Sequence, residues 1–571
     1  MKTNEAYFSD LFEQITDSAK WSAEKFVVFN HEAGTGKSRT THEIIGEMTK
    51  IHEYRVLYVQ RFARDNELEN TVDAINMHAG RKVAESFTGE DTKKVMVKEI
   101  IEQRQVICIT HQMYIQICKG EHKYLIKDRD ILIIDEYLDL LEKLTISSCD
   151  IGLLWAECNK RGVSFIGEWA QLLRDIKDEG CMSNQIMRFI DFKDEIYQMY
   201  VTKIKSAIEK LNDEHSKLFK GILTKSIQLL KNGGYLFENA FHTIDGTRDF
   251  VLLKNNIILD ANGEFEYRYK LSQKFDIRPK EKMFEYSKDF LFHYEINTTK
   301  NALKKDKAFL QEALKKVELI GRKGVLYVTE MENTKTLEKE IINMYSAYGN
   351  SIEDIEKKLQ CKIKIDYFGN IIGVNYYREY DTVVLLKTPN YDYLTYASTL
   401  HYYSNLENKP MSSVEVFKND VVESIRKSSV AGELYQAIKR INRDNSKEAN
   451  IYLFSAYMDA VDLVVEQLPN IKYIRIDFSK REYNSTKRKD SSKLEKAKSL
   501  LLDAKEKGLG KMKKDELREQ LEIKDKSGLS SILRKLYKEN FFEQHGIDCD
   551  RKGQTIWFKD DVKQSNIYKS A

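Results

Sequence analysis

A chain of 571 residues with 42% hydrophobic and 32% charged side chains is long enough for about three or four domains with buried cores. It lacks an apolar run of the about 18 residues that a membrane-spanning helix requires, and acidic residues stand where a signal peptide would be apolar, so we expect a cytoplasmic protein with no membrane partner. A net charge of +3 indicates no general affinity for nucleic acid, and seven cysteines without a CxxC pair argue against zinc, iron–sulfur clusters and disulfide frameworks.

The first informative element is an apolar run at Phe26 to Phe29, followed by the glycine-rich sequence HEAGTGKS at 31–38 and a helical pattern. A strand that leads into such a turn and then a helix is typical of a site for nucleotide phosphates. Glycines allow consecutive backbone N–H groups to converge on phosphate oxygens, the lysine neutralises the β and γ phosphates, and the serine hydroxyl ligates Mg²⁺. The candidate residues for binding ATP are Gly34, Thr35, Gly36, Lys37 and Ser38.

Strand and helix patterns alternate from residue 26 to residue 135, which predicts an α/β fold with a doubly wound parallel sheet. The predicted strands are Phe26 to Phe29, Arg55 to Gln60, Val106 to Thr110 and Asp130 to Ile134. The last of them, within DILIIDEYL, delivers Asp135 and Glu136 to its carboxyl end, where open α/β sheets bind ligands. We interpret Asp135 as a Mg²⁺ ligand and Glu136 as the catalytic group that polarises the attacking water, although a solvated acidic turn would have the same sequence.

A polar stretch with helical periodicity and few strand signals follows at 140–231 and predicts a helical insertion. Strand character returns at 235–241 and 250–259, and the Asp245-Gly246 pair between these runs predicts a hairpin. A second alternating block then has the length of one α/β domain. Its predicted strands are Gly324 to Thr329, Lys362 to Phe368, Thr382 to Leu386, Ile451 to Ser455 and Tyr473 to Phe478.

The second block contains the sequence YQAIKRINRDN at 435–445. Gln436, Arg440 and Arg443 are spaced by four and three residues, so a helix would present them on one face. Two arginines near a γ-phosphate can act as arginine fingers when two domains close. Taken alone, the same spacing is also typical of a charged surface helix.

Together these motifs resemble those of superfamily 2 (DEAD/DEAH-like) helicases, which carry a phosphate-binding turn, a DExx box and a QxxGRxxR motif in the second of two RecA-like domains. HEAGTGKS, DEYL and QAIKRINR follow in that order over roughly residues 20 to 480, with His31 and Lys439 where the family has glycines. The resemblance implies that ATP binds between two RecA-like domains with Glu136, Gln436, Arg440 and Arg443 as catalytic residues. It also places Thr110 where a threonine commonly contacts the nucleic-acid backbone.

Residues 493–571 differ in character from the rest of the chain. Three helical patterns, at Leu494 to Lys507, Lys513 to Leu521 and Ser527 to Asn540, precede β-rich residues and resemble a winged helix-turn-helix. Residues 480–539 contain 19 Lys and Arg against 11 Asp and Glu, an excess that the whole-chain charge conceals. Ser530, Ser531, Arg534 and Lys535 are expected to face a DNA major groove or phosphates, although winged helices also mediate protein contacts.

The sequence therefore predicts a first RecA-like domain at 1–139 and 232–290, a helical insertion at 140–231, a second RecA-like domain at 291–480, a linker at 481–492 and a winged-helix-like domain at 493–571. The favoured function is an ATP-dependent translocase or helicase on nucleic acid, with DNA preferred and protein partners unknown. Two alternatives stay open: a DNA-binding switch ATPase, such as a plasmid or phage replication initiator of the AAA+ type, and a degenerate ATPase that serves as a scaffold. An AAA+ protein would follow its first block with a small helical lid rather than with five further strands.

Overall fold

In a computed structural model, which describes most of the chain, the protein consists of two compact units, at residues 1–478 and 479–571. The described residues are 4–61, 66–89, 97–180, 185–211, 216–279, 282–306, 308–371, 376–478, 489–521, 523, 526–538, 541–549 and 553–558. Most of the predicted linker at 481–492 lies outside these ranges. Within them, every helix is too short or too polar to cross a lipid bilayer.

The first half of the larger unit consists of a lobe that is interrupted by an insertion. The lobe begins with α1 (Asn4–Thr16), β1 (Phe26–Phe29), α2 (Lys37–Ile51), β2 (Val56–Gln60), α3 (Glu67–Ala79), β3 (Ala84–Ser86), α4 (Val97–Gln103), β4 (Val106–Thr110), α5 (His111–Cys118) and β5 (Ile131–Asp135). The insertion contains β6 (Lys143–Ile146), α6 (Ser148–Arg161), α7 (Ser164–Gly180), β7 (Ile186–Ile190), α8 (Glu195–Lys210), α9 (Lys217–Asn232), β8 (Gly234–Phe237) and β9 (Ala240–Ile244). The chain returns to the first lobe with β10 (Asn255–Leu259) and β11 (Phe275–Arg278).

The first lobe is built on a parallel sheet of seven strands in the order β11-β1-β10-β5-β2-β4-β3. Alternate residues of β1 enter different cores, with Phe26 and Val28 on one face and Val27 and Phe29 on the other. A sheet that is covered on both faces explains why its strands are continuously apolar. Because β1, β10 and β5 are neighbours, the loops that follow them meet at one edge of the sheet.

The predicted hairpin between 235–241 and 250–259 is wrong. The hairpin instead joins β8 to β9, where Phe237 pairs with Ala240 around Glu238 and Asn239, which have φ values of 47° and 62°. Two consecutive left-handed residues match the twist of a tight hairpin, and Glu is an unusual choice there, so the turn gives no clear sequence signal. The run at 255–259 is β10, a central strand of the parallel sheet.

The insertion combines helices with an antiparallel sheet. Helices α6 to α9 make up most of residues 140–231, as the sequence predicts, but β6 and β7 also lie in this range. These two strands join β8 and β9 in the order β7-β8-β9-β6, so the inserted element extends to Ile244 and is not purely helical. β6 and β7 are short and partly exposed, which is why they give weak sequence signals.

The second lobe follows. Its elements are β12 (Phe290–Glu295), α10 (Lys300–Lys305), α11 (Phe309–Leu314), β13 (Gly324–Thr329), α12 (Thr334–Met344), α13 (Ile352–Leu359), β14 (Lys362–Tyr367), α14 (Phe368–Ile371), β15 (Thr382–Leu385), α15 (Tyr393–Leu406), β16 (Val414–Glu415), α16 (Asp420–Ile438), β17 (Asn450–Phe454), α17 (Met458–Glu466) and β18 (Lys472–Asp477). Six of the strands form a parallel sheet in the order β14-β13-β15-β17-β12-β18. The predicted α/β fold with two parallel-sheet lobes is therefore confirmed, and β12 is a strand that the sequence analysis missed.

The two lobes pack directly on each other. Ala33 of the first lobe's glycine-rich turn and Ala261, which follows β10, belong to the same buried cluster as Leu434 and Ile438 of α16. The short β16 pairs with β7 and so extends the sheet of the insertion to five strands. The lobes thus meet both at the glycine-rich turn and at the insertion.

The smaller unit has its own core. It contains α18 (Lys489–Glu506), β19 (Lys511–Lys513), α19 (Lys514–Gln520), α20 (Lys526–Lys538), α21 (Phe541–Gln544), β20 (Ile547–Cys549) and β21 (Thr555–Phe558). The three predicted helices correspond to α18, α19 and α20, and the strands form an antiparallel sheet in the order β19-β21-β20. The sequence predicts β structure after the third helix, but Phe541 and Phe542 lie in the short helix α21, where both are buried.

Candidate nucleotide site between the two lobes

The glycine-rich turn after β1 depends on glycine at two positions. Gly34 and Gly36 have φ values of 94° and 89°, in the left-handed region that side chains disfavour, and Gly36 is the residue from which α2 begins. A Cβ atom on Gly34 would also lie 2.0 Å from the main-chain oxygen of Arg443. Gly34 is therefore required both by its own backbone angle and by the close approach of the second lobe.

His31 shows how the turn forms without a glycine at its first position. It is not among the described residues with positive φ, so this position places no demand for glycine on the backbone. The imidazole is fully buried and packs edge-on against Phe8 of α1 and Phe29 of β1, with ring centroids 4.9 and 5.5 Å away. The larger side chain thus packs the turn against α1.

The structure brings Lys37, Ser38 and Asp135 together at the edge of the sheet. The Ser38 hydroxyl donates to the Asp135 carboxylate at 2.6 Å, and the Tyr58 hydroxyl donates to the same oxygen at 3.0 Å. The Lys37 ammonium donates to the main-chain oxygen of His31 at 3.1 Å. Burial lowers the pKa of Lys37, and the nearby Asp135 opposes that shift.

A hydroxyl and a carboxylate at this separation fit a hard cation. Mg²⁺ prefers such oxygen ligands and usually keeps several waters, so Ser38 and Asp135 suit it as protein ligands next to a phosphate chain. Burial raises the pKa of Asp135, and the adjacent Glu136 raises it further, so a cation would relieve an unfavourable concentration of negative charge. Among the described residues, no group of three or more His, Cys, Asp or Glu side chains is placed to hold a metal ion.

Glu136 is held in a strained backbone conformation with φ of 72°, and its N–H donates to the main-chain oxygen of Leu259 at 2.9 Å. Its carboxylate lies 3.5 Å from Arg61 and 3.9 Å from Arg440, measured to guanidinium nitrogens. Burial alone would raise the pKa of Glu136, but Arg440 and Arg61 outweigh burial and lower it. The carboxylate is therefore ionised at neutral pH, as a group that accepts a proton from water must be.

The arginine motif converges on this carboxylate in a way that differs from the prediction. α16 ends at Ile438, so Arg440 and Arg443 lie in the turn beyond the helix and not on its face. Asn442, within this turn, adopts a left-handed conformation with φ of 41°. Arg440 donates to the Gln436 side-chain oxygen at 3.0 Å, which fixes the guanidinium next to Glu136.

Four polar residues near the site are missing from the predicted catalytic and binding set: Tyr58, Arg61, His111 and Asp260. His111 donates through Nε2 to the main-chain oxygen of Asp135 at 3.0 Å, and burial lowers the pKa of His111 to about 4, so its ring is neutral. Asp260 accepts from Tyr269 at 2.8 Å, and burial raises the pKa of Asp260 to about 6. Arg61, His111 and Asp260 each follow a strand, so the strand order that brings them together is the missing signal. A cavity of about 440 Å³ beside Glu136 is lined by Arg61, His111 and Asp260 from the first lobe and Gln436 from the second.

The predicted nucleic-acid residues are Thr110, at the end of β4, and Arg534 and Lys535 of α20 in the smaller unit. The Thr110 hydroxyl accepts from the Met113 N–H at 3.3 Å and caps the start of α5, which accounts for a threonine here without any ligand. Arg534 and Lys535 are exposed on α20, as are Ser530 and Ser531. All four of these side chains are therefore accessible on the smaller unit.

Lys439 occupies the position at which the resembled motif has glycine. Its side chain is buried, its ammonium donates to the Tyr286 hydroxyl at 2.9 Å, and it lies 4.6 and 4.8 Å from the ring centroids of Phe284 and Tyr286. Burial lowers the pKa of Lys439 to about 8, although Glu32 and Asp289 act in the opposite direction. The lysine is therefore part of the packing between the lobes.

A pH-dependent contribution of Lys439 to stability is expected from this shift. A lysine in the unfolded chain has a pKa of about 10.4. Between pH 8 and that value the unfolded chain therefore binds more protons than the folded one, so the free energy of unfolding rises with pH. Melting temperatures measured across this window should therefore rise less with pH in Lys439→Met than in the wild type. The charged and titratable groups near the ammonium are Glu32, Tyr286, Asp289, Arg443 and Asp444.

Lys447→Met, which removes a partly exposed lysine of the same lobe, serves as the control for that measurement. The control should keep the wild-type pH dependence. An identical dependence in the Lys439→Met and wild-type proteins would contradict the expectation.

The fold and the site define a protein of two RecA-like lobes with a polar, charged cleft between them. A search of solved structures returns several matches to this chain. S. tokodaii Xpd4 has a TM-score of 0.49 and 12% identity, and the match covers 82% of this chain and 100% of that chain. For S. cerevisiae Dbp5 bound to RNA and ADP BeF3 the TM-score is 0.34 at 10% identity, with 79% and 85% covered. For the DUF1998 helicase MrfA bound to DNA and AMPPNP it is 0.36 at 10% identity, with 98% and 62% covered.

No protein-family model matches the chain, and no curated protein of similar sequence is found.

Proposed function

We propose that the chain is an ATP-dependent motor that moves along or unwinds nucleic acid in the cytoplasm, with DNA as its polymer. The observation that supports this most is the composite nature of the site. Glu136 of the first lobe lies 3.9 Å from Arg440 of the second. The main chain of Arg443 comes so close to Gly34 that any side chain at position 34 would clash with it. A site with parts on two lobes is disrupted when the lobes separate, which gives hydrolysis a way to drive movement.

Each residue has a distinct chemical task in this proposal. The backbone amides around Gly34 to Gly36 and the Lys37 ammonium bind the phosphates of ATP. Mg²⁺, held by Ser38 and Asp135, would neutralise charge on the β and γ phosphates. Glu136 orients and deprotonates the attacking water.

The second lobe supplies the remaining charge. Arg440 and Arg443 stabilise the negative charge that develops on the γ-phosphate, and Gln436 holds Arg440 in place through the 3.0 Å hydrogen bond. These arginines reach the site only while the lobes are in contact. Hydrolysis and lobe closure are thereby coupled.

The test is ATP turnover by the full chain without polymer and with single-stranded DNA, duplex DNA or RNA. We expect turnover to rise on adding nucleic acid, most strongly with DNA, and Lys37→Ala to stay at background in every condition. Turnover that is the same with and without every polymer would contradict a motor on nucleic acid. A wild-type protein without turnover in any condition would contradict the enzyme itself.

The smaller unit is the candidate DNA-binding module, and its charges provide a separate prediction. Arg534→Ala and Lys535→Ala should each weaken duplex DNA binding and reduce the slope of log affinity against log salt by about one, as expected when one phosphate contact is lost. Lys507, an exposed lysine just beyond α18, offers a matched control, and Lys507→Ala should leave the slope unchanged. Equal slopes in all four proteins would indicate that α20 does not contact phosphates.

A DNA-binding switch ATPase is the second candidate, because the smaller unit has its own core and a local basic excess. The six-stranded parallel sheet of the second lobe disfavours it, since an AAA+ protein would have a small helical lid there. Size-exclusion chromatography with ATP separates the two candidates. A hexameric ring would favour the switch ATPase, whereas ATP binding without turnover would favour a scaffold.

A further inference from the structure

Glu32, inside the phosphate-binding turn, faces away from the phosphate site and toward the segment that joins the two lobes. Its side chain is buried, and one carboxylate oxygen accepts from the Met283 and Phe284 N–H groups at 2.9 and 3.2 Å. Its main-chain oxygen accepts from the Thr35 hydroxyl at 2.8 Å, within the turn itself. One residue thus ties the turn to the connecting segment.

Tyr286 extends this connection into the second lobe. Its hydroxyl donates to the other Glu32 oxygen at 2.5 Å and accepts from the Lys439 ammonium at 2.9 Å. Its main-chain N–H donates to the Pro469 oxygen at 2.9 Å, so the tyrosine is anchored to the second lobe. Hydrogen bonds therefore run without a break from Glu32 through Tyr286 to Lys439.

Lys439 is the residue directly before Arg440, and its position fixes the start of the arginine turn. Its N–H donates to the Tyr435 oxygen at 3.0 Å, and the Arg440 N–H donates to the Ala437 oxygen at 3.2 Å. A displacement of the Lys439 side chain would thus be passed to the main chain of Arg440.

We infer that Glu32, Tyr286 and Lys439 form a relay that holds the arginine turn in register with the phosphate-binding turn. The relay rests on the proposed function, because it positions Arg440 for ATP hydrolysis. Glu32, Tyr286 and Lys439 are positioning residues and make no contact with the reacting atoms. Their chemistry is complementary, since a carboxylate, a hydroxyl and an ammonium each satisfy the next group in a buried place where an unpaired charge would be costly.

Tyr286→Phe is the most informative variant, because it removes one oxygen atom while keeping the ring on which Lys439 packs. We expect the turnover number for ATP to fall by about tenfold to a hundredfold, the loss typical of a misaligned catalytic group, while the dissociation constant for ATP changes by less than about threefold. Glu32→Gln and Lys439→Met should act in the same direction. The double variant Glu32→Gln/Lys439→Met should lose little more turnover than the worse of its two single variants, because both changes break the same relay.

Tyr327 provides the matched control, because it is a buried tyrosine of the same lobe whose hydroxyl has no hydrogen-bond partner among the described residues. Tyr327→Phe should leave both constants near the wild-type values. If Tyr286→Phe behaves like Tyr327→Phe, or if it loses ATP binding together with turnover, the relay is refuted.

Hydrogen exchange provides a readout that does not depend on turnover. A non-hydrolysable ATP analogue should slow amide exchange at 283–286 and at 439–443 in the wild type. In Tyr286→Phe the protection at 283–286 should remain, because Glu32 still accepts from the Met283 and Phe284 N–H groups. The protection at 439–443 should weaken, because the hydroxyl that links Glu32 to Lys439 is lost. This pattern in a protein that hydrolyses no ATP would uphold the relay and reject the proposed motor, whereas equal protection of both segments in both proteins would overturn the relay.

Discussion

Replacement of Glu136 by Gln is expected to lower ATP turnover by about a thousandfold while ATP binding stays near the wild-type level. The amide has the size of the carboxylate but cannot accept a proton from water. Lys37, Ser38 and Asp135, which bind phosphate and Mg²⁺ in our proposal, are unchanged. Binding of a fluorescent ATP analogue and steady-state phosphate release, measured on the same preparation, separate the two effects.

Two further variants make this comparison interpretable. Lys37→Ala should lose both binding and turnover, because the partly buried ammonium is the cation supplied by the turn itself. Glu47→Gln, which changes an exposed carboxylate on α2, should behave like the wild type. Equal turnover in Glu136→Gln and the wild type would reject the assignment of the site.

Much of the site could be predicted because its motifs are local. The turn at 31–38 and the pair Asp135-Glu136 each follow an apolar strand, and the chemistry of each motif is readable over a few residues. The structure adds that β1 and β5 are separated only by β10, so the two motifs meet at one edge of the sheet. Strand order depends on packing between distant segments, which a single sequence does not display.

The arginine motif shows where local reasoning stops being sufficient. Spacing alone predicts that Arg440 and Arg443 share a helix face with Gln436, but α16 ends at Ile438. Both arginines nevertheless reach the first lobe, because the turn beyond the helix directs them there. The outcome was predictable from chemistry, whereas the backbone path was set by the packing of the second lobe.

Contacts between the lobes are the part that the sequence could not provide. Glu32 and Tyr286 are 254 positions apart, and although Glu32 lies within HEAGTGKS, Tyr286 belongs to none of the motifs identified in the sequence. In the sequence, Lys439 stands out only because the resembled motif has glycine at that position. In the structure, its ammonium donates to the buried Tyr286 hydroxyl. Departures from a motif can thus identify a contact that is particular to one chain.

Replacement of Arg440 by Ala is expected to lower ATP turnover by about a thousandfold or more, the range found for arginine fingers. Arg440→Lys should recover little of this loss, because an ammonium has no planar fork with which to donate to Gln436 and to phosphate oxygens at the same time. Arg426→Ala, which removes an arginine within α16, is the matched control and should keep most of the turnover.

The pH profile distinguishes a catalytic role of Arg440 from a merely structural one. Arg440 is the strongest of the cations that lower the pKa of Glu136, so its removal lets burial raise that pKa. The acid limb of the turnover profile should therefore move to higher pH in Arg440→Ala, because Glu136 becomes protonated sooner as the pH falls. A loss of less than about tenfold, with an unshifted acid limb, would mean that the γ-phosphate charge is stabilised within the first lobe alone. In that case the cleft would bind nucleotide without using lobe closure for catalysis.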